Sequence, residues 1–179
     1  LYIDHSAVQI IINCSFLHNR VTYQGAGAYV AFSQLLTIIN SVFEYNKVDS
    51  KGGALFIWKS TKAVIENNTV LLSTARQGAG FYMDKCKQVM IKESKFEENR
   101  AHCPGEECHG GGGVLIENAQ IVMTVNTAFM FNKDNKCGAG FCIVSSGESI
   151  NINNNFIYNE GKHVAGMYIE KVKHILTVN

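Results

Sequence analysis

The acidic residues of this sequence that could support catalysis are Asp84 and Glu117, and each ends a short apolar segment. The segments read "GAGFYMD" and "GGVLIE", so both carboxylates come four residues after a glycine. If the segments are neighbouring strands in register, the carboxyl groups lie about 5 Å apart, which suits a retaining glycosidase. Lys59 and Lys85 occupy the next position and would supply positive charge or a base. Because acids and lysines on an outer face are commonly solvated surface, we predict no catalytic activity and keep a polysaccharide-active enzyme as the alternative.

A second candidate site is the stretch "HCPGEECH", which holds Cys103 and Cys108. A Pro-Gly turn inside a Cys-x4-Cys loop favours a local disulfide. Cys137 is an alternative disulfide partner, and free thiols are a further alternative. His102 and His109 flank the pair, so a zinc site is also conceivable, but the spacing fits no standard zinc module. We therefore predict a Cys103–Cys108 disulfide, no metal and no cofactor. The remaining cysteines read as small apolar residues at structural positions: Cys14, Cys86 and Cys142.

A column of aromatic residues is the candidate binding surface. Its members recur at one place in the repeat described below, with a tryptophan close by: Tyr2, Tyr29, Phe56, Tyr82 and Tyr168, with Trp58. Strand alternation places this column outside, between two inward apolar columns. An exposed aromatic stripe would stack sugar rings or dock a partner protein. The alternative is that a neighbouring segment covers the stripe, or that it only supplies β-propensity.

Three residue columns share one period along the chain. The first is the F-x-x-N element, which begins at Phe16, Phe43, Phe96, Phe129 and Phe156, with Val70 as a degenerate member. Its steps are 27, 27, 26, 33 and 27 residues. A column of small residues has the same period. A third column lies three residues before the phenylalanine and contains Asn13, Asn40, Asn67, Asn126, Asn153 and Asn179. A shared period of this length indicates an internal structural repeat.

The repeat predicts an all-β fold, a right-handed parallel β-helix with coils of 26 to 27 residues. Each unit holds short segments rich in β-branched and aromatic residues, divided by Gly, Asn and Lys turns, and no segment shows a capped helical stripe. We expect a single segment over residues 1–179, about six and a half coils long, with a loop insertion at 100–112. Because the chain starts and stops in mid-coil, we also expect it to be a window of a longer solenoid.

Stacked coils give the repeated residues structural roles. An asparagine amide both donates and accepts, so the Asn column is predicted to form an inward hydrogen-bonded ladder, and the Phe column a stacked aromatic row. Two glycosylation sequons, at Asn13 and Asn67, fall on the Asn column. Since a glycan would break an inward ladder, we favour unmodified asparagines at both positions.

Composition excludes some partners. A net charge of +1 and a charged fraction of 17% give no electrostatic footprint for nucleic acid. No run of 18 apolar residues occurs, so no membrane span is predicted in this segment.

At Phe43, Asn46, Gly52, Gly53, Ala54 and Leu55 the chain resembles the F-x-x-N and G-G-A-[ILV] repeats of the polymorphic outer-membrane proteins of chlamydiae. Related repeats occur in other surface proteins with right-handed β-helices, and the similarity spans the whole chain. The resemblance implies an extracellular or cell-surface location and a non-catalytic, adhesin-like or structural scaffold. Its expected partners are glycans, surface proteins or, in an extracellular filament, other copies of itself.

Overall fold

The computed structural model describes residues 1–105 and 108–178, which form successive coils of short parallel strands. The first two coils contain β1 (Tyr2–Asp4), β2 (Val8–Ile12), β3 (Ser15–Leu17), β4 (Arg20–Val21), β5 (Ala28–Ala31), β6 (Leu35–Ile39), β7 (Val42–Glu44) and β8 (Lys47–Val48). The next two contain β9 (Leu55–Trp58), β10 (Lys62–Glu66), β11 (Thr69–Leu71), β12 (Thr74–Ala75), β13 (Phe81–Asp84), β14 (Gln88–Lys92), β15 (Lys95–Glu97) and β16 (Arg100–Ala101). The last strands are β17 (Val114–Glu117), β18 (Ile121–Val125), β19 (Ala128–Met130), β20 (Lys133–Asp134), β21 (Phe141–Val144), β22 (Glu148–Ile152), β23 (Asn155–Ile157), β24 (Glu160–Gly161), β25 (Met167–Glu170) and β26 (His174–Val178).

Equivalent strands of successive coils pair in parallel and build four sheets. The first sheet runs from β1 through every fourth strand to β25, and the second runs from β2 to β26 in the same way. The third sheet joins β3 to β23 and the fourth joins β4 to β24. The register aligns equivalent residues of the repeat, as where Tyr29 lies between Tyr2 and Phe56. The predicted all-β parallel solenoid, with coils of about 27 residues, is confirmed.

The interior contains a row of phenylalanine rings from the third sheet. Ring centroids of Phe96 and Phe129 lie 5.3 Å apart, and those of Phe129 and Phe156 lie 5.0 Å apart, in stacked geometry. Val70 interrupts the row, and there Phe81 from the first sheet packs edge-on against Phe96 at 5.0 Å. The rings of Phe16 and Phe43 continue the row at 4.7 Å. The predicted Phe positions therefore all face the core, where aromatic burial is a large stabilising contribution.

The column of small residues is explained by the close approach of successive coils at one corner. A Cβ added to Gly80 would lie 2.2 Å from the carbonyl oxygen of Gly113, and one added to Gly113 would lie 2.4 Å from that of Gly140. A side chain at such a distance would clash unless the backbone shifts, so Gly80 and Gly113 allow the coils to pair closely, and the equivalent position of another coil holds the small residue Ala54.

The Asn13 column does not point inward as predicted. Its members lie at exposed corners between the second and third sheets, and their φ angles are 54° (Asn13), 52° (Asn40), 51° (Asn67), 49° (Asn126) and 49° (Asn153). The left-handed region is costly for most L-residues and is tolerated best by asparagine after glycine. The column therefore recurs because of backbone conformation. One ladder bond joins its members, from Asn67 Nδ2 to Asn40 Oδ1 at 2.8 Å. Asn179 lies outside the described residues.

A buried asparagine ladder does exist, at the last position of the F-x-x-N element. Asn132 Oδ1 accepts from the backbone N–H of Asn99 at 3.0 Å, and Asn132 Nδ2 donates to the carbonyl of Phe96 at 2.9 Å. Asn99 makes the same pair of bonds to Ser73 and Val70 in the coil before. Each such side chain thus satisfies two backbone groups at the turn of the preceding coil.

The sequons at Asn13 and Asn67 are exposed for the same reason. A glycan would break the ladder only if these side chains pointed inward. Because they lie at an outer corner, a glycan at either position would not meet an inward ladder.

Candidate functional site

The predicted aromatic stripe lies on the outer face of the first sheet, but only its first members are open to solvent. Tyr2 is 70% exposed and Tyr29 is partly buried, whereas Phe56 is 4% and Tyr82 only 1% exposed. The segment that precedes β9 folds over the stripe. Lys51 Nζ lies 4.6 Å from the centre of the Tyr82 ring and 2.8 Å from its hydroxyl oxygen. A neighbouring segment therefore covers the aromatic residues in the middle of the stripe, which is the alternative interpretation given above.

The ring faces of the stripe are occupied by one another. Centroid distances are 4.9 Å between Tyr2 and Tyr29, 5.3 Å between Tyr29 and Phe56, and 5.2 Å between Phe56 and Tyr82, with nearly parallel planes. The coil repeat of about 4.8 Å imposes this stacking. A sugar ring therefore cannot stack on an inner member, because only ring edges and hydroxyl groups reach the surface. Tyr168 is partly buried at the far end, and its hydroxyl lies 3.0 Å from Glu170 Oε2.

The candidate acids Asp84 and Glu117 are neighbours, as the repeat spacing predicts. They occupy the same register position on β13 and β17. The Tyr82 hydroxyl donates to Glu117 Oε2, and His109 Nδ1 lies 2.6 Å from Glu117 Oε1. Burial, and secondarily the Glu117 charge, raise the pKa of Tyr82, so its hydroxyl remains a hydrogen-bond donor. Both oxygens of Glu117 are thus held inside the protein.

Asp84 and the two lysines of the predicted catalytic cluster are engaged by other side chains or exposed. Asp84 Oδ1 accepts a hydrogen bond from Asn118 Nδ2 at 2.8 Å. Lys59 Nζ lies 4.4 Å from the centre of the Trp58 ring, in a cation–π contact. Lys85 is exposed at the corner that follows β13. The structure therefore brings the two acids together and leaves the lysines outside their contact network.

A groove of about 300 Å³ opens beside the covered part of the stripe. Its lining combines ring edges with polar side chains: Gln24, Tyr29, Lys51, Phe56, Trp58, Tyr82 and Asp84. A larger cavity of about 630 Å³ lies at the corner after β21, around Gly147 and Lys171. We place the candidate site in the smaller groove, because the predicted aromatic and acidic residues converge there. Gln24 and Lys51 were missed from the sequence, although each directly precedes a corner glycine.

The cysteines form two pairs at disulfide distance. The Cα atoms of Cys103 and Cys108 are 6.0 Å apart, within the range of a disulfide. Cys137 pairs with Cys142 at a Cα distance of 6.3 Å, so neither residue has the role predicted from the sequence. Cys14 and Cys86 are free thiols, and burial raises the pKa of Cys86 to about 12, which makes it unreactive at neutral pH.

The zinc alternative finds no support in the part of the chain that the structure describes. Within residues 1–105 and 108–178, no group of three or more His, Cys, Asp or Glu side chains is placed to hold a metal ion. His102 is exposed, and His109 contacts Glu117.

Asp134 anchors the loop insertion to the coil that follows it. This residue lies in the inner column of the fourth sheet, where the preceding coil has an alanine. Asp134 is 6% exposed and its Oδ2 accepts from the N–H of Gly111 at 3.2 Å. Gly110 packs directly on the carboxylate, because an added Cβ would lie 1.7 Å from Oδ2. Burial raises the pKa of Asp134, although backbone N–H groups of Gly111, Lys136 and Cys137 oppose the shift.

The raised pKa of Asp134 predicts a pH dependence of stability. The folded protein binds this proton more tightly than the unfolded chain, so the contribution is fully present below the ordinary carboxyl pKa of 3.8 and is lost as pH rises through the higher folded value. We expect the Asp134→Asn variant to lack this loss. The measurement is the urea midpoint from pH 3 to pH 8, and equal slopes for the variant and the unchanged protein would contradict the expectation.

A family model described as "Right handed beta helix region" matches residues 1–176. The chain belongs to this right-handed β-helix family. No curated protein and no solved structure matches the chain. Membership accounts for the parallel sheets and the stacked columns of the β-helix, which are the features that build the coil. It does not assign the groove, because one fold supports many functions. Among the described residues of this β-helix, no helix is long and apolar enough to cross a membrane.

Proposed function

We propose that this β-helix is a non-catalytic extracellular scaffold whose first-sheet groove binds glycans. The observation that carries the proposal is the groove itself, in which the Gln24 amide and the Asp84 carboxylate flank the aromatic edges of Tyr29 and Trp58. Side-chain amides and carboxylates hydrogen-bond sugar hydroxyls, and ring edges supply apolar contact. A rigid coil holds these groups in fixed positions, which lowers the entropic cost of binding.

The non-catalytic part of the proposal is supported by the state of Glu117. Its two oxygens are engaged by Tyr82 and His109. A nucleophile or general acid must reach the substrate, and this carboxylate faces its own protein neighbours. The polysaccharide-active alternative is favoured by one observation, the in-register position of Asp84 beside it.

The extracellular part is supported by the cysteine pairs and by the resemblance. Two pairs at disulfide distance suit an oxidising compartment. The F-x-x-N and G-G-A-[ILV] elements around Phe43 and Gly53 resemble those of chlamydial surface proteins, whose β-helices are adhesin-like. A structural filament subunit is the close alternative, and it requires contacts between copies.

The test is a binding and cleavage assay on immobilised cell-surface polysaccharides. The purified chain is applied to the panel, affinity is measured by biolayer interferometry, and new chain ends are followed by mass spectrometry. We expect binding without new chain ends. Asp84→Asn and Gln24→Ala should each weaken binding roughly three- to tenfold, since the first replaces a charged acceptor by a weaker neutral one and the second removes a hydrogen bond to the ligand. Glu148→Gln, an acid-to-amide change on the second sheet, is the matched control and should bind normally.

The two parts of the proposal fail separately in this assay. New chain ends that disappear in Glu117→Gln would show catalysis and make Asp84 and Glu117 an active site. Absence of binding across the panel, or equal affinity for Asp84→Asn and Glu148→Gln, would overturn the glycan groove.

A further inference from the structure

The outer face of the second sheet has a central row of side chains that is apolar in six of its seven strands. Strand residues alternate between core and exterior, so the third residue of each strand points outward. These residues form a central row that is aligned by the register: Ile10, Val64, Met90, Met123, Ile150 and Leu176, with Thr37 between the first two. Ile10 is 63% exposed and Leu176 is 52% exposed. A soluble protein rarely leaves a continuous apolar surface of this kind uncovered.

The size of this apolar face is adequate for a specific contact. Seven strands about 4.8 Å apart, each five residues long at about 3.3 Å per residue, give a face of roughly 30 Å by 16 Å. Two such faces in contact bury roughly 1,000 Å², near the lower limit for a specific protein interface. The flat, periodic relief matches best with another sheet of the same repeat, because the ridges of both then recur at one spacing.

Two outer rows flank the central row, and in one coil they carry charges of opposite sign. In β10 the first row holds Lys62 and the last row holds Glu66. Glu66 also pairs with Lys92 of the next coil, at 2.7 Å. Both rows are apolar in β2, β6 and β18, as at Leu35 and Ile39 of β6, and polar side chains occupy one or both rows of β14, β22 and β26.

We propose that the apolar face binds a second copy of this chain, in a side-by-side dimer whose two-fold axis is parallel to the solenoid axis. This axis places each coil against the same coil of the other copy and reverses the strand direction. The first row of one copy then faces the last row of the other. Lys62 meets Glu66 of the second copy twice, and Leu35 meets Ile39 twice, while the central row packs against itself.

The alternative face-to-face dimer has its two-fold axis perpendicular to the solenoid and centred on the middle coil. That axis places Lys92 against Lys92 of the second copy and Leu35 against Glu148. Like charges and a carboxylate on an apolar side chain both disfavour this arrangement. The parallel axis also places Glu148 against Ile152 of the second copy. It pairs Lys62 with Glu66, however, whereas the perpendicular axis places these two charges on Ile121 and Val125. The charge pattern therefore favours the parallel axis.

The oligomeric state is measured by sedimentation velocity of the purified chain between about 1 and 100 µM. We expect a micromolar dimer, because the contact is near the lower size limit. Met90→Lys places a charge at the centre of the contact and should raise the dissociation constant at least tenfold. Lys47→Glu, on the exposed side of the fourth sheet, is the matched control and should dimerise normally. Circular dichroism confirms that each variant keeps its β-sheet.

A mixing experiment tests the axis. Lys62→Glu alone and Glu66→Lys alone each create two like-charge contacts in the homodimer, so each variant should be monomeric at concentrations where the unchanged chain dimerises. An equimolar mixture restores both opposite-charge contacts, and the dimer mass should return. A chain that is monomeric at 100 µM, or a mixture that stays monomeric, would overturn the proposal. Neither result bears on glycan binding, which uses the first sheet.

Discussion

Replacing Asn132 with alanine is expected to lower the free energy of unfolding by about 3–5 kcal/mol. The Asn132 amide is fully buried and serves three groups of the preceding coil. It accepts from the N–H and Nδ2 of Asn99, and it donates to the carbonyl of Phe96 at 2.9 Å. Alanine leaves these groups unpaired in the interior, and each unpaired buried group costs about 1–3 kcal/mol. The measurement is equilibrium unfolding in urea, followed by circular dichroism.

Asn126 is the matched control, because it belongs to the predicted ladder and lies exposed at a corner with φ of 49°. Asn126→Ala should cost about 1 kcal/mol, the strain of a left-handed alanine, and Asn126→Gly should cost less. If Asn126→Ala were the more damaging of the two alanine variants, the assignment of the ladder to the F-x-x-N asparagines would be wrong.

Phe129→Ala is expected to cost about 3–5 kcal/mol through loss of the central ring of the core row. Its centroid lies 5.3 Å from Phe96, 5.3 Å from Phe141 and 5.0 Å from Phe156. Neighbouring coils are fixed by their sheets and cannot collapse into the space, so a cavity remains. Thermal unfolding by calorimetry, with the urea midpoint as a second measure, gives the change.

The control for this variant is Phe131, two residues further along the chain. Its ring is 43% exposed and its φ is 53°. Phe131→Ala removes the same atoms from the surface, so the cost should stay below about 1 kcal/mol. A cost for Phe131→Ala similar to that of Phe129→Ala would show that the outer corner contributes as much to stability as the core.

The repeat allowed the coil to be predicted from the sequence alone. A residue that recurs every 26 to 27 positions stacks on its own equivalents, so the period alone defines the parallel pairing and the register. The Phe row and the pairing of Asp84 with Glu117 follow directly from it. The closest approach of two corners could also be predicted from the sequence, because only small residues recur where the backbones nearly touch, as at Gly80.

The direction in which a column points was harder to predict from the sequence, because asparagine suits two environments. Asn126 recurs because it tolerates a left-handed corner, and Asn132 recurs because its amide satisfies the backbone of the preceding coil. A periodic asparagine is compatible with either role. Corner positions can be separated from core positions only by the backbone angles, which depend on where each strand ends.

The sequence by itself determined the all-β coil, its period and the residues that stack in it. Only the tertiary structure decided what covers the outer face of a strand. Tyr82 is hidden by Lys51, Glu117 is held by His109, and Cys142 is paired with Cys137 across a corner. Such contacts arise from segments between the strands, which do not follow the period closely. Their positions depend on the packing of neighbouring coils, and a repeat contains no information about an insertion that breaks it.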